Sequence, residues 1–278
     1  MSGGRRHGES QPGPPPARPR PRCYTRLVIA WLRVYGELND FVAPAAHQST
    51  VPVRFGRGAT VKDLVESRGV PHTEIDLLLV NGESVGFERL LADGDRVAAY
   101  PVFEAFDVAP VTRVRPEPLR QVRFVLDVHL GRLARYLRLA GFDTLYDRGW
   151  DDGDLAAISS GQHRVVLTRD QGLLKRRAVT HGYFVRSTAP PRQLAEVVGR
   201  FDLVRLAAPF TRCVSCNGLL APAERSEVAG DVPERSRRWC TGFQRCLSCR
   251  RVYWQGSHHP RLRQILAAAL PGPPAPER

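Results

Sequence analysis

What this 278-residue chain lacks narrows its possibilities first. No apolar run approaches the ~20 residues of a membrane-spanning helix, so no membrane partner is expected. No apolar stretch follows the N-terminus, so no secretory signal is expected and the cytoplasm is the expected location. No Walker loop, GxGxxG fingerprint or Ser-His-Asp nucleophile motif is visible, which removes the usual nucleotide-cradling and acyl-transfer sites. Lysine is almost missing, with two Lys against 39 Arg. Cysteine is sparse, at six residues, and in a reducing compartment clustered cysteines more often bind metal than pair.

The positive charge that is present is segregated. The net charge is +13, of which residues 1–26 carry +5, residues 205–278 carry +7 and residues 27–204 only +1. Codon bias can replace Lys by Arg, but it does not sort charge along a chain. A basic tail and a basic C-terminal part point to a polyanion partner such as RNA.

The length fits two domains and a small third. Residues 1–23, rich in Pro, Gly and Arg, read as a disordered basic tail, and 269–278 as a second disordered tail. Residues 24–107 carry strand-like runs at 26–35, 51–55, 77–80 and 96–100. A helix runs from an N-cap at Thr60 to a stop at Gly69, with Asp63 at the reciprocal capping position. Asn81-Gly82 is a hairpin signal. This order is that of an α+β ubiquitin-like β-grasp domain. No Gly-Gly follows the last strand, and the chain runs on through YPVFEAFD (Tyr100–Asp107), so no sulfur-carrier role is expected. The domain is read as an interaction or RNA-docking module, through which a protein partner could bind, with a purely structural appendage as the alternative, and His72 as a loop-ordering residue.

Three prolines mark 108–121 as a linker. From 122 to 206, strand and helix alternate: strands at 122–126, 144–146, 164–168 and 183–185, helices at 130–140, 152–160, 171–181 and 190–200. That is a doubly wound, Rossmann-like parallel sheet. Arg132, Arg135 and Arg138 fall off the apolar stripe of the 130–140 helix, and Gly141 reads as its C-cap. Two buried strands end abruptly on acids, Asp127 and Asp170. Ligands of open α/β sheets sit outside the carboxyl ends of the strands, and converging carboxylates there hold hard cations such as Mg²⁺ or Mn²⁺. Asp151 and Asp152 begin a helix and can cap it, Asp154 can point into the crevice, and Asp143 enters its strand at the wrong end. The chemistry that suits such a site is phosphodiester hydrolysis. Arg132, Arg135 and Arg169 are candidate phosphate contacts.

Residues 207–268 hold Cys213-x-x-Cys216 and Cys246-x-x-Cys249, two knuckles that suit one tetrahedral, structural Zn²⁺, with the charged stretch around Gly230 looped out between them. Cys240 reads as a free thiol. Arg250 and Arg251 are candidate RNA contacts, with Tyr253 and Trp254 able to stack on bases or to pack around the metal.

DVHLGRLARYLRLAGFDT (Asp127–Thr144), VVLTRD (Val165–Asp170), RCVSCNGLL (Arg212–Leu220) and CLSCRRVYWQGSH (Cys246–His258) together resemble the Mut-seven C-terminal ribonuclease family. LNDF, GVPHTEIDLLLVNGESV and YPVFEAFD resemble the ubiquitin-like domain often found in front of it. The resemblance spans roughly 26–268. It implies a PIN-like nuclease fold fused to a zinc ribbon and a metal-dependent ribonuclease, an endonuclease in expectation. It carries over Asp127 and Asp170 as metal-binding catalytic acids and implies an intermediate acid before the TRD strand, chosen here as Asp154 with Asp152 second. His129 departs from the family, where Met is expected, and is read as a packing replacement. The rival reading is a non-catalytic RNA- or ribosome-associated adaptor.

Overall fold

The computed structural model describes residues 28–101, 111–114, 122–240 and 242–270. The expectations for the tail 1–23, most of the linker and most of 269–278 lie outside these residues.

The first unit is a five-stranded sheet. Its strands are β1 (Val28–Val34), β2 (Val51–Phe55), β3 (Leu77–Val80), β4 (Glu83–Ser84) and β5 (Arg96–Tyr100), in the order β2-β1-β5-β3-β4. Only β1 and β5 pair in parallel. β1 alternates strictly, with Ala30, Leu32 and Val34 inward and Trp31 and Arg33 outward. The inward set packs with Val61, Leu64 and Val65 of helix α1 (Val61–Ser67). Thr60 and Asp63 form the expected capping box, and Gly69 ends the segment at φ +102°, where a side chain would strike the Phe41 carbonyl. Asn81 and Gly82 both take positive φ, as a two-residue hairpin of the primed type requires.

The second unit is a four-stranded, wholly parallel sheet of β6 (Phe124–Leu126), β7 (Thr144–Leu145), β8 (Val165–Thr168) and β9 (Gly182–Phe184), in the order β7-β6-β8-β9. The chain passes from β6 outward to β7, then crosses to the other side of β6 for β8, so the winding reverses between β6 and β8. Phe124 and Leu126 face helices α2 (Gly131–Leu139) and α5 (Pro190–Arg200), while Val125 and Val166 face α3 (Asp152–Gln162) and α4 (Gln171–Leu174). Both faces are covered, which is why these strands are continuous apolar runs rather than alternating ones.

Three details correct the sequence reading. The helix expected over 171–181 is α4, only Gln171–Leu174: Leu173 and Leu174 are buried, and Arg176 and Arg177 offer nothing to continue an apolar stripe. Arg138, expected off the buried side of α2, is itself buried and donates to the carbonyls of Thr144, Val214 and Ser215. His129 is exposed and so fills no packing position.

The third unit is an antiparallel sheet of β10 (Leu220–Ala223), β11 (Phe243–Cys246) and β12 (Val252–Trp254). The looped-out stretch between the knuckles contains the short helix α6 (Glu234–Trp239), and Val228 and Val232 pack with Cys240, Phe243 and Val252. The last helix, α7 (His259–Ala269), packs back on the α/β unit, contributing Leu266 and Ala269 to its core.

The ubiquitin-like unit docks on β9, the edge strand of the parallel sheet. Glu74, 1% exposed, accepts from the Phe184 amide at 2.5 Å and pairs with Arg186 at 3.4 Å. Arg186 also pairs with Asp40 at 2.8 Å and lies over the Phe41 ring. His72 Nε2 meets the Val179 carbonyl at 2.9 Å while its Nδ1 meets Glu66, so this histidine orders the junction. A strand edge that would otherwise invite pairing is thereby closed.

Candidate metal centres

Two groups of side chains stand at opposite ends of the α/β unit, an acidic rim and a cysteine cluster, and among the described residues only the cysteines gather closely enough to hold a metal ion. The first follows from β6 and β8. Asp127 comes directly after β6 and its amide donates to the Leu167 carbonyl of β8, so the pairing continues to the strand ends. Asp127 is 7% exposed and its Oδ2 accepts from the Thr168 hydroxyl at 2.6 Å. The same hydroxyl accepts from the Asp170 amide at 2.9 Å. One hydroxyl thus ties the two acids to a common rim, at the point where the winding reverses, which is where ligands of such sheets bind. Thr168 escaped the sequence reading; its place inside the VVLTRD motif was the available signal.

Among the described residues no basic side chain lies within 4 Å of the Asp127 carboxylate. Asp143 shows the contrast. It sits at the amino end of β7, as the sequence implied, and it is fully partnered by Arg164 at 2.7 Å, Asn217 at 2.9 Å and Arg212 at 3.7 Å. Burial works against its charge, but the Arg164 and Asn217 hydrogen bonds and the two guanidinium charges hold its carboxyl below the usual value.

The remaining acids are more local. Asp170 is exposed and N-caps α4, its Oδ1 accepting from the Gly172 amide at 2.7 Å. Asp151 and Asp154 form a capping box at the start of α3, each side chain accepting from the other's amide, at 2.9 and 3.1 Å. Asp152 pairs with Arg176 at 3.2 Å. Among the described residues Asp127, Asp154 and Asp170 do not form a group with donor atoms within 4.8 Å of one another. The rim is held closely by backbone: Gly131 opens α2 where a Cβ would sit 2.5 Å from the Tyr146 hydroxyl, and that hydroxyl donates to the Val128 carbonyl.

The second group does gather. Cys213, Cys216, Cys246 and Cys249 bring their sulfurs within 4.8 Å of one another. Cys213 and Cys249 are 3.7 Å apart and Cys216 and Cys246 3.4 Å. A tetrahedral ion at the usual Zn–S distance of ~2.3 Å separates its sulfurs by about 3.8 Å. In each knuckle the amide of the second cysteine points at the sulfur of the first, at 3.4 Å. Burial opposes a Cys213 thiolate, but the Tyr253 hydroxyl and the Cys216 and Ser215 amides bring that thiol down to about 6. Burial and the neighbouring thiols push Cys216 up to about 12. Four thiolates crowd one another unless a cation neutralises them, and the donor set suits zinc. Cys240 stands outside the cluster, buried, with its sulfur against the Gln255 carbonyl.

The knuckles dock at the amino end of β7, the rim opposite the acids. Asn217 Oδ1 accepts from the Thr144 amide, Arg212 donates to the Gly141 carbonyl, and Arg138 reaches Val214 and Ser215. Of the candidate RNA contacts, Arg132, Arg135, Arg250 and Arg251 are exposed. Arg169 is exposed as well, but it spends its Nη1 on the carbonyls of Val185, Arg186 and Ser187. Tyr253 sits 3.0 Å from the Cys213 sulfur and Trp254 packs beside Phe243 and Val252, so both support the ribbon rather than stand free for bases.

The fold and sites define a β-grasp domain joined to a parallel α/β domain with a four-cysteine ribbon. Family models match both parts: one described as the Mut7-C RNAse domain over residues 122–266, and one described as Mut7-C ubiquitin over 27–107. The chain belongs to the Mut7-C RNAse domain family. No curated protein matches it. Two solved structures of small archaeal modifier protein 1 from Haloferax volcanii are similar to part of it, at 22% identity and a TM-score of 0.23, covering 27–28% of this chain and 99% of theirs. Among the described residues no helix is long and apolar enough to cross a membrane.

Proposed function

We propose that this protein is a metal-dependent ribonuclease, an endonuclease acting on RNA phosphodiester bonds at the carboxyl rim of β6 and β8. The observation that carries this reading is Asp127: a buried carboxylate at the winding reversal, beside Asp170, with a hydroxyl but no basic partner among the described residues. A buried charge of that kind is costly unless a cation offsets it. Asp127 and Asp170 would hold Mg²⁺ or Mn²⁺, with Asp154 as the third acid and Asp152 second. Such ions supply an activated water and stabilise the leaving oxygen. Thr168 orients the Asp127 carboxylate, Arg132 and Arg135 on α2 contact phosphates near the reacting bond, and Arg250 and Arg251 of the basic ribbon grip RNA further along. Arg169 keeps only part of its guanidinium for such a contact. One Zn²⁺ on the four cysteines is structural, because all four positions are filled by protein.

The test is single-turnover cleavage of mixed-sequence RNA with Mn²⁺. Asp170→Asn should lose cleavage while keeping fold and RNA affinity, and unchanged cleavage removes this site. The adaptor reading draws on the Asp154 carboxylate, already used in a capping box, and on the spread of the three acids. It expects salt-sensitive RNA binding with no metal-dependent cleavage in the unaltered protein.

A further inference from the structure

The outer face of the ubiquitin-like sheet, opposite α1, is left uncovered by the other described residues. Alternation along β1 puts Trp31 and Arg33 on it, followed by Tyr35; β2 adds Arg54, and β5 adds Arg96 and Tyr100. Register brings these together: Trp31 pairs with Arg96, and the Tyr35 and Tyr100 rings stack at 4.3 Å. The Arg33 guanidinium lies 5.0 Å from the Tyr35 ring centre. Trp31 is 42% exposed, although a tryptophan costs solvation when left in water. A shallow cavity of about 430 Å³ runs between Trp31, Arg33, Tyr35, Asn81 and Arg96.

The charge on this face has one sign. Arg33, Arg54 and Arg96 point outward, and no acid does so from any of the five strands: Glu83 pairs across from Val80, whose side chain points inward. The two acids near the cavity are committed elsewhere. Asp95 is buried and receives Asn81 and the Ala92 amide, and Asp93 receives the Ile29 amide. The contacts with the α/β unit come from Asp40, Phe41, His72 and Glu74, none of them on this face, so docking leaves it open.

We propose that this face is a binding platform for single-stranded RNA. The proposal rests on the reading of the chain as acting on RNA. Aromatic rings on a strand surface stack bases regardless of sequence, and interleaved arginines take the phosphates. Trp31, 42% exposed, offers the ring for a base, while the Tyr35 ring is engaged by Tyr100 and Arg33 and marks the far end of the face four residues along, about 13 Å away. Three arginines without a facing acid fit a polyanion and not a basic or neutral peptide. The face would hold a flanking part of the strand whose scissile bond reaches the acidic rim.

The experiment uses the full chain and a fluorescein-labelled 12-nucleotide mixed-sequence RNA, with anisotropy read in EDTA so that no cleavage intervenes. Trp31→Ala should weaken binding roughly tenfold, within the range for one lost base stack. Arg33→Ala/Arg96→Ala should weaken it and flatten the plot of log Kd against log salt by about 1.4. Both variants should keep the thermal midpoint of the unaltered protein, since the changed side chains are exposed. A duplex of the same sequence should compete at least tenfold less well than the single strand. Binding within twofold of the unaltered protein in both variants overturns the platform, and would leave the face to a protein partner. Equal competition by duplex overturns it too. Cleavage with Mn²⁺ is read separately: normal cleavage with unchanged binding sinks only the platform, while Trp31-dependent binding without cleavage sinks only the nuclease assignment.

Discussion

The cysteine cluster and the acidic rim differ in what holds them together. The cysteine cluster is gathered by its own loops: each knuckle is a tight turn with an amide aimed at a sulfur, and the four sulfurs already lie at near-tetrahedral spacing. The acidic rim is gathered by the sheet. Asp127 and Asp170 are far apart in sequence and reach the same end of the sheet only because β6 and β8 are neighbours, the Thr168 hydroxyl donating to the Asp127 carboxylate and accepting from the Asp170 amide. A closed donor set of soft ligands suits a permanent structural ion, whereas an open rim with a partly exposed acid suits a hard ion that shares its coordination with water and substrate. Local geometry gathers the cysteines, and long-range geometry brings the acids to one rim.

The largest effect that can break this comparison is loss of the staple. Cys216→Ser, or stripping metal with a strong chelator, should remove zinc, about one ion per chain by elemental analysis, and unfold the ribbon. Structural zinc is worth on the order of 10 kcal/mol to such small units. Retained cooperative unfolding of the ribbon without metal would make the cluster ornamental. Arg138→Ala comes next. It removes a buried guanidinium that joins α2 to β7 through the Thr144 carbonyl and to the first knuckle through the Val214 and Ser215 carbonyls, and should cost roughly 3 kcal/mol in denaturant unfolding while leaving zinc content unchanged.

At the rim, Asp127→Asn and Asp170→Asn should each lower Mn²⁺-dependent cleavage roughly a hundredfold, the scale of losing a metal contact, with the thermal midpoint kept. A matching loss in zinc content would erase the distinction between the two centres. The smallest effect belongs to Asp143, the acid that is paired. Its carboxyl is held below the ordinary value of 3.8 in the folded chain. Its contribution is therefore complete above that value and is lost as pH falls through the lowered folded value. Asp143→Asn should flatten the acid limb of the stability curve and leave the pH dependence of stability between 6 and 8 unaltered.

Much of the frame was legible in residue order. The Thr60–Asp63 capping box, the Asn81-Gly82 turn and the buried run ending on Asp127 are local signals that the structure forms as read, whereas β8 stops at Thr168 and Asp170, two residues on, caps α4. The short α4, buried Arg138 and exposed His129 were not, because each depends on what packs opposite. Arg138 lies at a position that periodicity assigns to solvent, and the carbonyls of Thr144 and of the docked knuckle make its burial tolerable. Trp254 and Tyr253 were ambiguous for the same reason: an aromatic beside arginines can meet a base or a core, and the ribbon decided for the core.

The sequence by itself determined the elements and the knuckles, because capping, turn chemistry, apolar period and Cys spacing act within a few residues. Only the tertiary structure decided which rim holds the acids, which rim holds the ribbon, and which face of the first sheet stays open. Those outcomes depend on contacts between residues tens of positions apart, and short-range pattern carries no record of which distant surface will cover a given side chain.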